Sequence, residues 1–223
     1  MALDLRALIF DLDGVIADTV TLHFRSWQRL ADEEGIIFTP EDGERLLGLT
    51  REQSLDIFRQ GRALDAAQVE DWLERKNRYF HELARRLTPA DVAPGVADLL
   101  AEARAAGLKL GVGSSSRNVR LVLERLGLLL AFDVLGDGHT VSRPKPAPDI
   151  FLWVAERLGV APAQAVVFED SPVGVQAALS GGFWVVGLGG ARTQAAHISR
   201  SSLAGLTLAR LIEALDACQA RLT

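Results

Sequence analysis

Two aspartates stand two residues apart in Asp11-Leu12-Asp13-Gly14-Val15, directly after the apolar run Ala7-Leu8-Ile9-Phe10. In an extended chain, side chains two apart share a face. Neighbouring carboxylates repel unless a proton or a cation separates them. A hard divalent ion with oxygen ligands, Mg²⁺ above all, resolves that repulsion. Gly14 lets the chain turn sharply at this point. The same residues also fit an ordinary Asp-Gly turn.

Three further clusters carry potential chemistry. Gly113-Ser114-Ser115-Ser116-Arg117-Asn118 follows the apolar run 108–112. A hydroxyl at a strand end, with backbone N–H groups opening the next helix, makes an anion site. A serine N-cap would look the same. In Arg143-Pro144-Lys145-Pro146-Ala147-Pro148 the prolines restrict the backbone around one lysine, which fixes where its ammonium points. Such an ammonium could neutralise a phosphate and a carboxylate together; an exposed lysine at a helix entry fits too. Val166-Val167-Phe168-Glu169-Asp170 ends another apolar run in two acids, which are candidate metal ligands or complements to a helix dipole.

These clusters need elements to hold them. Each follows a short apolar run of the kind found in strands buried on both faces of a parallel sheet. Runs of this kind occur at 7–10, 108–112, 134–135, 166–168 and 184–186. Helical periodicity lies between them, with Val119, Val122, Leu123 and Leu126 on one face and Phe151, Val154, Ala155 and Leu158 on another. The segment 98–106 ends at Gly107, a plausible C-cap. Alternating strands and helices predict an α/β fold with a parallel sheet, whose strand C-termini share one edge where ligands bind. From about Thr19 to Leu87 only helical patterns occur, which predicts an inserted helical module. All four clusters then fall on the catalytic edge, supplying a nucleophile, a hydroxyl, a lysine and metal acids.

The bulk properties agree with a small-molecule enzyme. The 223 residues suffice for one core with a smaller insert. With 48% hydrophobic and 24% charged residues the composition is that of a soluble globular chain. A net charge of −5 argues against broad nucleic-acid binding. The first six residues show no basic stretch before a long apolar core, so no secretory signal and no membrane attachment are expected. The single Cys218 fits a cytoplasmic setting and reads as a small, partly buried side chain. His81, His139 and His197 lack partners at metal-ligand spacing and read as structural, and Trp72, Trp153 and Trp184 read as core.

Taken in chain order, the four motifs resemble the haloacid dehalogenase superfamily over nearly the whole sequence. The resemblance implies a Rossmann-like core, residues 1–17 and 88–223, with an all-helical cap at 18–87. It implies Mg²⁺-dependent phosphoryl transfer through an aspartyl-phosphate. Asp11 would be the nucleophile, and Asp13 the general acid/base that also offers its backbone carbonyl to the metal. Ser114 and Lys145 would hold the transferring phosphoryl group, and Asp170, with Glu169 beside it, would bind Mg²⁺.

A narrower similarity is to the β-phosphoglucomutase-like subfamily. It rests on the stretch from Asp11 to Thr19, His23 and Trp27, Gly48 with Arg51 and Ser54, the segment Arg75-Lys76-Asn77 with Tyr79, and the loop Ser114 to Asn118. It implies that His23, Trp27, Gly48, Arg51, Lys76, Ser116, Arg117 and Asn118 contact substrate. Arg51, Ser116, Arg117 and Asn118 would grip the phosphate that is not being transferred, and His23 would couple cap closure to Asp13. The implied reaction converts β-glucose 1-phosphate to glucose 6-phosphate through the 1,6-bisphosphate, with a sugar phosphate as the partner; a monomer is expected. Trp27 by itself also reads as a packing residue. The chain departs from the pattern at Leu47 and Arg117, where the subfamily has lysines, and at Ser115, where it has alanine. A phosphatase for small phosphorylated metabolites is the alternative, and Leu47 favours it. A non-catalytic protein on this fold would be expected to lack the nucleophile or the lysine, yet both are present.

Overall fold

The apolar runs form a six-stranded, all-parallel sheet in the order β3-β2-β1-β4-β5-β6. The computed structural model describes residues 3–222; Met1, Ala2 and Thr223, which the sequence reading places in the core, lie outside them. The strands are β1 (Ala7–Phe10), β2 (Lys109–Gly113), β3 (Val134–Gly136), β4 (Ala165–Glu169), β5 (Trp184–Gly187) and β6 (Ile198–Ser199). Helices α5 (Val96–Ala105), α6 (Val119–Arg125), α7 (Asp149–Leu158), α8 (Pro172–Ser180) and α9 (Leu208–Leu222) cover the sheet. Successive residues of β1 serve opposite faces. Leu8 and Phe10 join one apolar cluster, with residues of α5, α6 and α9, while Ala7 and Ile9 join the other, with α7 and α8. Burial on both faces is why these strands read as continuous apolar runs.

Register decides what meets at the sheet edge. Phe10 lies opposite Val112 of β2 and Phe168 of β4, so Asp11, Gly113 and Glu169 emerge at one level. The strand order also reverses around β1, the position where open α/β sheets bind ligands.

Between β1 and β2 the described residues contain helices and no strand pairing beyond two isolated bridges. The cap helices are α1 (Val20–Glu34), α2 (Pro40–Glu44), α3 (Arg51–Phe58) and α4 (Ala66–Ala84). Their boundaries follow from local chemistry. Thr39, Thr50 and Asp65 each open a helix through a reciprocal capping box, and Gly35 closes α1 in the left-handed conformation. Trp27, Leu30, Phe38, Leu55, Phe58 and Trp72 form an apolar cluster separate from those of the sheet. Arg75 is paired with Glu33, Glu34 and Asp71, which fastens α4 to α1. The chain leaves the core and returns side by side. Ala17 bridges Val92 in antiparallel fashion, and the Ala93 N–H donates to the Ile16 carbonyl at 2.8 Å.

Three expectations shift in detail. β6 has two residues and no apolar run to announce it. Trp72 is buried, but Trp153 and Trp184 are only partly so; they border the core, against Arg157 and His197 respectively. Cys218 is buried on α9. No helix among the described residues is long and apolar enough to cross a membrane.

Candidate active site

Asp11 leaves β1 with its N–H bonded to the Phe168 carbonyl at 2.9 Å, which places its carboxylate over the sheet edge. Lys145, in the loop after β3 and followed by a cis bond to Pro146, reaches the same point. Its Nζ donates to Asp11 Oδ1 at 2.7 Å and to Glu169 Oε1 at 2.6 Å, and all three side chains are almost wholly buried. Burial alone would push the ammonium down, but Asp11 and Glu169 more than offset it and hold Lys145 charged. The other Glu169 oxygen accepts from the Ser171 N–H and hydroxyl, both at 2.9 Å.

Asp11, Glu169 and Asp170 each turn an oxygen into one volume, mutually within 4.8 Å. One ammonium cannot balance three buried carboxylates. Burial first, and then the neighbouring acids, push Asp11 up to about 7 and Asp170 well above the ordinary range. A dense, oxygen-only set that is short of positive charge fits a hard divalent cation. The fit extends to the backbone: Gly14 has a φ of 76°, and a Cβ there would run into the Asp170 carboxylate.

Asp13 is not one of this group. Thr19 would be the N-cap of α1, but its hydroxyl does not cap the helix; it donates to Asp13 Oδ1 at 2.5 Å. Asp18 serves the helix start in its place, accepting from the Thr21 N–H and hydroxyl. On the cap side, His23 Nε2 lies 3.4 Å from Asp13 Oδ1, and His23 Nδ1 meets Lys76 Nζ at 2.6 Å. Two nitrogens so close share one proton between them. With the lysine donating to Nδ1, the ring's own proton sits on Nε2, which is near Asp13 but makes no hydrogen bond to it. Burial would push Asp13 up, but His23, Thr19 and Lys76 together bring it below its ordinary value. Burial and Lys76 push His23 down, and burial pushes Lys76 down to about 7.

Between cap and core lies a cavity of about 340 Å³, within the range of small-molecule sites. Asp11, Asp13 and Ser114 line it, as do Arg51 from the cap and Arg117 from the core. His23, Trp27, Gly48, Lys76, Ser116, Asn118 and Asp170 line it too. Lys145 and Glu169 lie behind this wall, reached through Asp11. Trp27 is 2% exposed and packs on Phe58, so most of its surface belongs to the cap core. Leu47 also faces the cavity, giving it an apolar contact where the resemblance implies a lysine.

Cap and core are tied together by residues that the sequence reading did not single out for this. The Ser115 hydroxyl donates to the Gly48 carbonyl at 2.8 Å. The Asn118 amide donates to Asn77 Oδ1 at 3.2 Å, and Asn118 Oδ1 meets His81 Nε2 at 2.8 Å. Glu52 pairs with Arg117 at 2.9 Å. His81 therefore contacts the loop after β2 and is not merely a helix-face residue. His197 accepts from the Val185 N–H and His139 is exposed; neither reaches the site.

Comparison with known proteins agrees with this geometry. The sequence model of a family described as haloacid dehalogenase-like hydrolase matches residues 8–188. The chain is 40% identical over 189 residues to a beta-phosphoglucomutase of Bacillus subtilis, covering 83% of this chain and 84% of that one. It is 36% identical over 182 residues to a phosphorylated carbohydrates phosphatase of Thermotoga maritima, covering 80% and 82%. A crystal structure of beta-phosphoglucomutase from Clostridium difficile superposes with a TM-score of 0.93 at 31% identity, covering 97% of this chain and 99% of that one.

Proposed function

The chain belongs to the haloacid dehalogenase-like hydrolase family, whose chemistry is phosphoryl transfer, and we propose that it is a phosphomutase interconverting β-glucose 1-phosphate and glucose 6-phosphate through the 1,6-bisphosphate. The observation that carries this reading is a cavity with two anion grips. Ser114 beside Asp11, with Lys145 behind, forms one; Arg51 and Arg117 form the other. Hydrolysis of a monophosphate needs one grip, whereas turning a bisphosphate end over end needs two. The similarity to beta-phosphoglucomutases supports it further.

In this mechanism an Asp11 oxygen attacks phosphorus in line, and the bond from phosphorus to the sugar oxygen breaks as the aspartyl-phosphate forms. Asp13, ionised while the site is empty, first takes the proton of the sugar hydroxyl that attacks the aspartyl-phosphate, and then returns it to the oxygen that leaves when Asp11 attacks the other phosphate. Thr19 and His23 hold Asp13 in place for both steps. Lys145 neutralises Asp11 and the phosphoryl oxygens. Asp11, Asp170 and the Asp13 carbonyl would hold Mg²⁺, with Glu169 fixing Lys145 and the loop behind them. When bound, Mg²⁺ supplies further neutralisation of the phosphoryl group. Closure of the cap keeps water from the aspartyl-phosphate so that a sugar hydroxyl accepts the group.

A phosphatase reading has one specific observation in its favour: Leu47 lines the cavity without a charge. Phosphorus NMR of the purified protein with Mg²⁺, β-glucose 1-phosphate and a trace of β-glucose 1,6-bisphosphate separates the two. Growth of glucose 6-phosphate with little inorganic phosphate supports the mutase. Release of inorganic phosphate in its place makes the protein a phosphatase.

A further inference from the structure

One carboxylate, from a side chain outside the cavity lining, is already paired with both arginines of the second anion grip. Glu52 Oε1 lies 2.9 Å from Arg117 Nη2 and 3.3 Å from Arg51 Nε, so a single oxygen is shared by guanidinium groups from opposite sides of the cleft. Glu52 is not needed to start α3. Thr50 and Gln53 complete that capping box by themselves, with the Gln53 side chain accepting from the Thr50 N–H at 3.0 Å. Nor does Glu52 alone hold the cap to the core, because Ser115–Gly48 and Asn118–His81 span the same gap. Its side chain is 45% exposed, so it can swing into water when displaced.

We propose that Glu52 is an internal substitute for the distal phosphate and sets the charge that a ligand must carry to be held there. The proposal rests on the reading that Arg51 and Arg117 grip the phosphate not being transferred. A guanidinium fork satisfies a phosphate dianion through two parallel N–H···O bonds, more than one shared carboxylate oxygen can offer. A phosphate therefore displaces Glu52, whereas a hydroxyl or a singly charged carboxylate does not. Glu52 is thus a specificity-determining residue: it competes for both guanidinium groups and sets a threshold against weak anions.

The test is titration of the full-length protein with inorganic phosphate, comparing wild type, Glu52→Gln, Arg117→Ala and the double variant. Removing the competing carboxylate should tighten phosphate binding about 2- to 5-fold, the scale of one partly exposed ion pair. The gain should vanish in the Arg117→Ala background, because there Glu52 has no guanidinium to withhold. Glu52→Asp, one methylene shorter, should also tighten binding while keeping the charge. Equal tightening with and without Arg117 would mean a general charge effect and would overturn the proposal, as would no tightening at all. A kinetic split adds a readout that a purely structural role would not give: Glu52→Gln should lower KM for β-glucose 1,6-bisphosphate without raising kcat. Failure of the mutase reading looks different. Inorganic phosphate would then be the product in the NMR experiment, while the coupling between Glu52 and Arg117 would persist.

Discussion

Lys76 and His23 meet at 2.6 Å where the cap faces Asp13, one side chain buried and the other half-buried. The ammonium also lies 5.3 Å from the rings of both Trp27 and Phe80, with Asp13 attracting it and Arg51 opposing it. Lys76 is therefore held in an environment that penalises its charge.

That penalty has a pH signature. Lys76 is pushed down to about 7 in the folded chain from 10.5. Between those values the unfolded chain binds the extra proton and the folded one does not, so stability rises with pH across the window. Lys76→Met should flatten this slope, measured as thermal melting from pH 7 to pH 10. At pH 7 it should raise Tm by several degrees, on the order of 1–3 kcal/mol, while slowing turnover. A lower Tm at pH 7 would count against the buried-charge account.

Lys145 poses the opposite case, since its charge is fully compensated. Lys145→Met leaves Asp11 and Glu169 buried against each other. Losing one partner of such a cluster costs about 3–5 kcal/mol. Calorimetry should show Tm falling by roughly 6–20 °C.

Adding Mg²⁺ should raise the melting temperature of the wild type, because a ligand of the folded state stabilises it by mass action. At a hundred times Kd the gain is about 2.7 kcal/mol. Asp170→Asn should abolish most of this shift. An undiminished shift would place the cation elsewhere than among Asp11, Glu169 and Asp170.

Asp11→Asn should remove the nucleophile and reduce turnover of every phosphate ester by at least about 10⁴-fold, read as loss of the acid-stable burst of covalently bound phosphate. Activity that survives would reassign the nucleophile.

Arg51→Ala should lower kcat/KM for the sugar phosphate reaction by about 30-fold or more, the cost of truncating one partner of a buried charged contact. Acetyl phosphate, which has no second phosphate, should suffer a smaller loss. Equal losses would argue against a distal grip at Arg51.

The chemistry was legible in the sequence because it is local. Asp11, Ser114 and Glu169-Asp170 each end or directly follow an apolar strand, and parallel strands in register bring such ends together. The ties between cap and core were not legible, since each joins segments far apart in the chain. Ser115 and Gly48 are 67 residues apart, and His81 and Asn118 are 37 apart. No local pattern marks Glu52 as a partner of Arg117, because acids in the first turn of a helix are ordinary. Thr19 was hidden for a related reason. It occupies an N-cap position, and only the structure reveals that its hydroxyl turns to Asp13. β6 escaped because two residues cannot display a periodicity.

The paired strands of backbone at Ala17 and Val92 mean that the chain departs from the core and re-enters it through adjacent doors. Insertions with neighbouring ends are the kind that a fold tolerates best. Everything the cap contributes, from His23 to His81, thus travels as one continuous cassette. The core meets it through the loop of Ser115, Arg117 and Asn118, through Asp13 beside His23, through Arg192 at Glu44, and through Phe80 and Ala84, which pack in the core's own apolar cluster. Recombining this protein with a relative should therefore exchange the cassette together with the core residues that touch it. The proposed nucleophile and metal acids would stay behind as a common engine for whatever acceptor the new cassette selects.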